Sequence, residues 1–155
     1  MPKDDANIIC VAGGTGLAAV YQVARDFGSN DKPAQIFAGA RSADRLYFTE
    51  DCKDIAEVHI ATDDGSAGFN GRVTDALRDY LKTLDADTLA KTEFYNCGPE
   101  PMIHAAEAVQ REFVEASQTF SAIDYTTKCG VGICGACASP DGRRICVDGP
   151  FINTR

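Results

Sequence analysis

Four thiols stand close together near one end of this chain, at Cys129, Cys134, Cys137 and Cys146, with no histidine beside them. Four soft sulfur ligands suit iron or zinc. Gly130, Gly132, Gly135 and Ala136 lie between them. Such small residues leave the backbone free to take positive φ and to bring amide N–H groups up to sulfur. The spacing is C-x4-C-x2-C-x8-C. A zinc ribbon would carry two C-x2-C knuckles, and only Cys134 and Cys137 have that spacing. The opening C-x4-C-x2-C is that of a 2Fe–2S loop. Iron–sulfur is therefore the preferred reading, with zinc or uncoordinated thiols as the alternatives. Cys10 and Cys52 stand alone and read as small buried hydrophobes.

A second kind of chemistry is written in the glycine-rich turns. "GGTG" (Gly13–Gly16) ends an apolar run and opens a helical pattern. Glycines there permit a tight turn and let a diphosphate approach the amino end of a helix. The turn is not the G-x-G-x-x-G fingerprint, and a plain strand-to-helix turn would also use glycine. "NCGPEPM" (Asn96–Met102) sets a thiol at a strand end, then a glycine and two prolines that fix a helix start. Two carboxylates, Asp63 and Asp64, follow another apolar run. They would repel a phosphate dianion and can accept from ribose hydroxyls, so if the chain binds a nicotinamide dinucleotide there, they favour NAD(H). Arg41 and Arg45 keep NADP(H) open, since either could pair with a phosphate.

The elements that must position these groups are legible in the apolar periods. Runs at Asn7–Ala12, Ala34–Ala40, Glu57–Thr62 and Thr92–Cys97 read as buried strands. Helical patterns follow them in "LAAVYQVARDF", in "RSADRLYFTEDCKD" with Ser42 as its cap, in "RVTDALRDYLKTL", and in "GPEPMIHAAEAVQREFVEAS". Alternation at this spacing predicts an α/β fold, an open doubly wound parallel sheet. Ligands of such sheets bind beyond the carboxyl ends of the strands. "GGTG", "GARS", "DDGS" and "CGPEP" all follow strands, so they are expected on one edge. From Lys128 onward no helical period remains. We therefore expect a nucleotide-binding lobe over residues 1–118, followed by a small loop-rich 2Fe–2S domain over 119–155.

Charge and composition exclude other classes. The chain has 155 residues and a formal net charge of −8, with no basic stripe. That is a poor basis for binding nucleic acid or anionic membrane. No run reaches the length of a spanning helix. The start "MPKDDAN" has no signal-peptide character, which leads us to expect a cytoplasmic protein. Seven cysteines is an odd number, which does not suit a disulfide scaffold.

Together, "VAGGTG", "GARS", "ATDDGSAGFNG" and "NCGPEPM", followed by "CGVGICGACASPDGRRICVDGPF", resemble the ferredoxin–NADP reductase superfamily. Within it they are most similar to the electron-transfer subunits of dihydroorotate dehydrogenase, which serve pyrimidine biosynthesis. The resemblance runs from Ile8 to Phe151. It implies an NAD(P)-binding lobe followed by a 2Fe–2S domain, with Cys129, Cys134, Cys137 and Cys146 as cluster ligands. It implies that Gly14–Gly16 face nicotinamide nucleotide and flavin, and that Cys97 lies at the nicotinamide–flavin contact as the residue of the reacting centre. The cofactor-binding set expected on this basis is Gly13, Gly14, Thr15, Gly16, Arg41, Asp63, Asp64, Gly65, Cys97, Gly98, Pro99, Glu100 and Met102. Family members place a flavin-binding barrel before the lobe, whereas the first strand here begins at Asn7. FAD is then expected to be shared with a barrel on another chain, unless the sequence is an excised piece or works without flavin.

The function expected is an oxidoreductase component. It would pass electrons between NADH, a flavin held with a partner, a 2Fe–2S cluster and a catalytic dehydrogenase subunit. The alternatives are a non-catalytic iron–sulfur carrier or docking module without productive nucleotide binding, and a zinc-stabilised nucleotide sensor. His59 and His104 are expected to be structural.

Overall fold

The computed structural model describes residues 6–28, 32–122 and 126–153. Strand β1 (Asn7–Gly13) is apolar along nearly its whole length, as a strand covered on both faces must be. It pairs in parallel with β2 (Ala34–Ala40) on one side and with β5 (Thr92–Cys97) on the other. Strand β3 (Ala56–Thr62) continues outward from β2. The two-residue β4 (Phe69–Asn70), inside the "DDGSAGFNG" segment expected to be loop, forms that edge. On the far side β5 pairs in parallel with β6 (Thr119–Ala122), and β6 pairs antiparallel with β7 (Ile152–Asn153). The order is β4-β3-β2-β1-β5-β6-β7.

Helices cover both faces. Helix α1 (Gly16–Phe27) buries Leu17, Val20, Val23 and Ala24. They pack with Ile8, Cys10, Ile36 and Cys52, the last from α2 (Thr49–Lys53). The opposite face holds α3 (Val73–Leu81) and α5 (Glu100–Gln110). There Val73, Leu77, Leu81, Ala106 and Val109 pack on Ile9, Val11, Phe37 and Phe94. Leu77 is fully buried, and such a side chain contributes about 2 kcal/mol through lost apolar exposure.

Several details depart from the expectations. Ser42 caps nothing: its hydroxyl donates to Asp44 Oδ1 at 2.5 Å, and only a single 3-10 turn (Ala43–Arg45) follows before α2. Helix α5 stops at Gln110 rather than Ser117. The chain then turns so that Phe113 and Val114 fold back onto the core. A reciprocal Glu115–Gln118 capping box opens a separate 3-10 turn leading into β6. Two short helices have no long period to announce them. One is α4 (Ala86–Ala90), where the Asp85 carboxylate accepts from Thr88 N at 2.8 Å. The other is α6 (Ile145–Asp148), within the cysteine segment.

A buried polar network holds the seam between β5, β6 and α5. Asn96 and Gln110 exchange side-chain amide bonds at 3.0 and 2.7 Å. Asn96 Nδ2 also donates to Ser121 Oγ at 3.2 Å, and Ser121 donates to Glu107 at 2.6 Å. Apolar contact alone would let β6 slide along β5; donors and acceptors that need one another fix its register.

At the other side of the sheet the His59 ring stacks on Phe37 at 4.5 Å, with Tyr80 5.3 Å from both. His59 Nε2 bonds Gln35 Oε1 at 2.7 Å. Burial lowers the His59 pKa, against a weaker upward pull from Glu57. The unfolded chain therefore takes up this proton more readily than the folded one. Stability from this site is complete above the ordinary histidine range near 6.5 and declines as pH falls through that value toward the lower folded-state pKa. Urea midpoints should drop between about pH 7.5 and 5.5, and His59→Gln should remove most of that drop. An unchanged pH slope in the variant would contradict this assignment.

Candidate functional site

The chain runs outward from β1 through β4, then returns to β5 on the other side of β1. The carboxyl ends of β1 and β5 thus form the switch point where open parallel sheets bind ligands. "GGTG" follows β1 and "GPEP" follows β5, so both turns meet there. They meet without side chains between them. A Cβ on Gly16 would overlap the carbonyl of Cys97, and one on Gly98 would come within 2.9 Å of Gly13 N. Gly13 lies against Met102, where a Cβ would be 2.6 Å from Sδ. Gly14 differs: it stands at φ +55° facing open space. Three of the four glycines singled out in these turns therefore serve loop-to-loop contact, and Gly14 is the one left free for a ligand.

A cleft of about 630 Å³ opens at this edge. It is lined by Gly13, Gly14 and Thr15, by Arg41 and Asp63, and by Pro99 and Met102. Arg45, Tyr47, Arg72 and Thr74 complete its polar and aromatic wall. Of the expected set, Gly16, Asp64, Gly65, Cys97, Gly98 and Glu100 are not in this wall. Gly16, Cys97 and Gly98 form the loop contact behind it. Asp64 is occupied locally: its carboxylate accepts from Ser66 N at 3.0 Å and Ser66 Oγ at 2.5 Å. The Ser66 hydroxyl group holds its pKa below the usual carboxylate range. Ser66 Oγ in turn accepts from Ala43 N at 2.7 Å, tying the β3 loop to the β2 loop. Arg72 and Tyr47 carried no motif that marked them in the sequence.

Cys97 ends β5, half-buried. Burial raises its pKa, so near neutrality it is a neutral thiol, not a thiolate. It can present a polarisable, uncharged contact but is a weak nucleophile. Cys10 and Cys52 are fully covered, and burial lifts Cys52 to about 11.

The remaining four thiols lie between β6 and β7. Because β6 is parallel to β5 and β7 runs back, this segment leaves and rejoins the sheet at its carboxyl edge, the edge that holds the cleft. The sulfurs come two by two. Cys129 accepts backbone N–H bonds from Ile133 at 3.4 Å and Cys134 at 3.5 Å, and it also interacts with the Cys134 thiol. These donors, led by the Cys134 amide, bring its pKa down to about 6. Cys137 and Cys146 lie 3.4 Å apart, sulfur to sulfur. Within that pair Cys137 is shifted toward thiolate and Cys146 toward thiol.

Gly130, Gly132 and Gly135 stand at φ +72° to +75°, which aims the intervening amides at sulfur. A side chain at Gly132 would also strike Val147. Arg144 Nη1 donates to Gly132 O at 2.7 Å. Arg143 pairs with Asp141, holding it down at about 2, and donates to Asn153 O at 2.7 Å. Four thiols in two pairs, with amide donors at sulfur, are residues that could hold a 2Fe–2S cluster.

The model of the oxidoreductase NAD-binding domain family matches residues 10–108. The chain belongs to that family. A second model, described as the iron-sulfur cluster binding domain of dihydroorotate dehydrogenase B, matches residues 126–155. Among curated relatives, the probable dihydroorotate dehydrogenase B (NAD(+)) electron transfer subunit of Methanocella arvoryzae is 34% identical over 151 residues, covering 95% of this chain and 55% of the relative. The corresponding subunit of Shouchella clausii is 34% identical over 157 residues, covering 97% and 56%. The chain thus spans about half the length of the curated relatives it matches. A solved NADH-dependent reduced ferredoxin–NADP oxidoreductase superposes with a TM-score of 0.77 at 30% identity, covering 98% of this chain and 54% of that one. The fold is of the ferredoxin–NADP reductase type, as its motifs implied. Among the described residues no helix is long and apolar enough to cross a membrane.

The loop-to-loop contact yields a direct prediction. Gly16→Ala should lower stability by about 1–3 kcal/mol, as overpacking against fixed backbone does. Thermal melts check this, and an unchanged midpoint would contradict the contact.

Proposed function

We propose that this chain is the nucleotide- and cluster-binding part of an electron-transfer subunit. It would take electrons from NADH and exchange them with a catalytic dehydrogenase subunit such as that of dihydroorotate dehydrogenase. Residues 1–118 would serve the nucleotide and residues 119–155 the cluster, although β6 and β7 lie in the lobe's own sheet. The observation that carries the reading is that the cleft and the four thiols share one carboxyl edge. Electron transfer needs donor and acceptor close together, and a shared edge supports that reading.

Cys129, Cys134, Cys137 and Cys146 would hold a 2Fe–2S cluster, and the turn Gly13–Thr15 with Arg41 and Asp63 would hold NAD(H). A flavin held there would supply the conversion of a hydride pair into single electrons, and a cluster held by the four cysteines would supply one-electron acceptance. The chain's own residues bind, orient and insulate. Gly14 leaves the approach to the turn open. Cys97 contributes a neutral surface behind it, and Asp63 offers a hydrogen-bond acceptor for a ribose diol. NAD(H) is favoured over NADP(H) by that carboxylate. FAD would be shared with a barrel domain or partner. The free thiols suit a reducing compartment, and we place the protein in the cytoplasm, apart from nucleic acid and membrane.

Anaerobically prepared protein, supplied with FAD and a barrel-bearing dehydrogenase partner, should lose its visible cluster absorbance on addition of NADH. Cys137→Ser should abolish that bleaching while leaving NADH binding intact. A cluster that stays oxidised while NADH binds, or a wild-type protein that binds no NADH, would overturn the reading and favour a carrier or docking module.

A further inference from the structure

Among the described residues most arginines of this acidic chain have a partner. Arg25 pairs with Asp26, Arg45 with Asp44, Arg78 with Asp75 and Glu112, and Arg143 with Asp141. Arg144 donates to a backbone carbonyl, and Arg111 is also engaged. Among the described residues, Arg41 and Arg72 alone of the arginines have guanidinium groups without any hydrogen-bond or ion-pair partner, and both line the cleft.

Their meeting is built into the fold. Gly39, near the end of β2, has no side chain, and a Cβ there would lie 2.8 Å from that of Val73. The first turn of α3 therefore sits directly on the strand end. Arg72 immediately precedes Val73, and Arg41 follows Gly39 by two residues, so both guanidinium groups reach the same opening. Arg72 does nothing for its helix. It occupies the cap position without a side-chain cap bond, where serine or aspartate would satisfy a backbone donor. A cation at that end also opposes the helix dipole. Asp75, the acidic residue of that first turn, is engaged with Arg78. A residue placed against the stability of its own element, unpaired in a chain of net charge −8 and facing a cleft, is accounted for by an anionic ligand.

We propose that Arg72, together with Arg41, is a two-guanidinium clamp on the diphosphate of the nucleotide, making charge recognition of a nucleoside diphosphate the specificity determinant of this cleft. The inference rests on the nucleotide reading above and adds to it Arg72 and the charge role of the arginine pair. The glycine turn supplies shape and the two arginines supply the charge. Arg45, already leaning on Asp44 at 3.6 Å, is a secondary contributor.

The test uses the whole chain with ADP as probe and adenosine as the phosphate-free control, measured by calorimetry. Arg72→Ala and Arg41→Ala should each weaken ADP binding by about tenfold, as loss of a charge-assisted pair does. Arg72→Lys should recover part of the loss, and adenosine binding should not change. The salt dependence of ADP binding should flatten in the alanine variants, and thermal midpoints should stay within a degree or two of wild type because Arg72 is exposed. ADP binding equal to wild type in Arg72→Ala, or wild-type ADP binding no tighter than adenosine, overturns the clamp. The two readings separate cleanly. If ADP is clamped but NADH does not bleach the cluster, the electron-transfer reading fails and the clamp stands. If NADH bleaches the cluster and Arg72→Ala binds ADP as before, the clamp alone fails.

Discussion

Everything in this molecule depends on one pairing: β6 lies parallel to β5, and β7 returns antiparallel beside it. A parallel strand ends at the carboxyl edge of the sheet, and an antiparallel successor must start there. The segment between them is thereby confined to the edge that already holds the nucleotide turns. Were β6 antiparallel, the four cysteines would be delivered to the opposite edge, a sheet's length from the cleft. The polar set of Asn96, Gln110, Ser121 and Glu107 secures that pairing in its register. Buried polar groups tolerate few alternative arrangements, because an unmatched donor or acceptor in the interior is expensive.

The same edge is shaped by what is missing from side chains. Gly13, Gly16 and Gly98 let two turns from strands at the switch point touch through backbone, and Gly39 lets α3 settle on β2. Each contact brings polar groups from sequence-distant elements into one opening. In the cysteine segment the logic is conformational instead: glycines in left-handed conformations turn amides inward, and Arg143 and Arg144 brace the loop from outside. Amides directed at the Cys129 sulfur stabilise its thiolate, the form that binds metal.

The major strands and helices were legible because each repeats an apolar period over six or more residues. The short elements were not. Strands of two residues and helices of four or five carry no period, and their existence follows from pairing and packing, not propensity. The spacing of the four cysteines was legible at once, yet their division into pairs needed the fold. The adjacent carboxylates Asp63 and Asp64 show the limit well. Sequence sets two acids after β3, but only the hydrogen bonds of Ser66 reveal that Asp64 is spent on the loop while Asp63 faces the cleft. Arg72 was invisible for a related reason. Its relevance comes from the Gly39–Val73 contact, between residues 34 positions apart. Ser42 read as a cap because serine often is one, but its hydroxyl is taken by Asp44.

The redox role of this chain turns on what the paired thiols hold. Metal and acid-labile sulfide analysis of protein purified without oxygen should return about two irons and two sulfides per chain. Zinc in place of iron, or a single metal ion without sulfide, would contradict it.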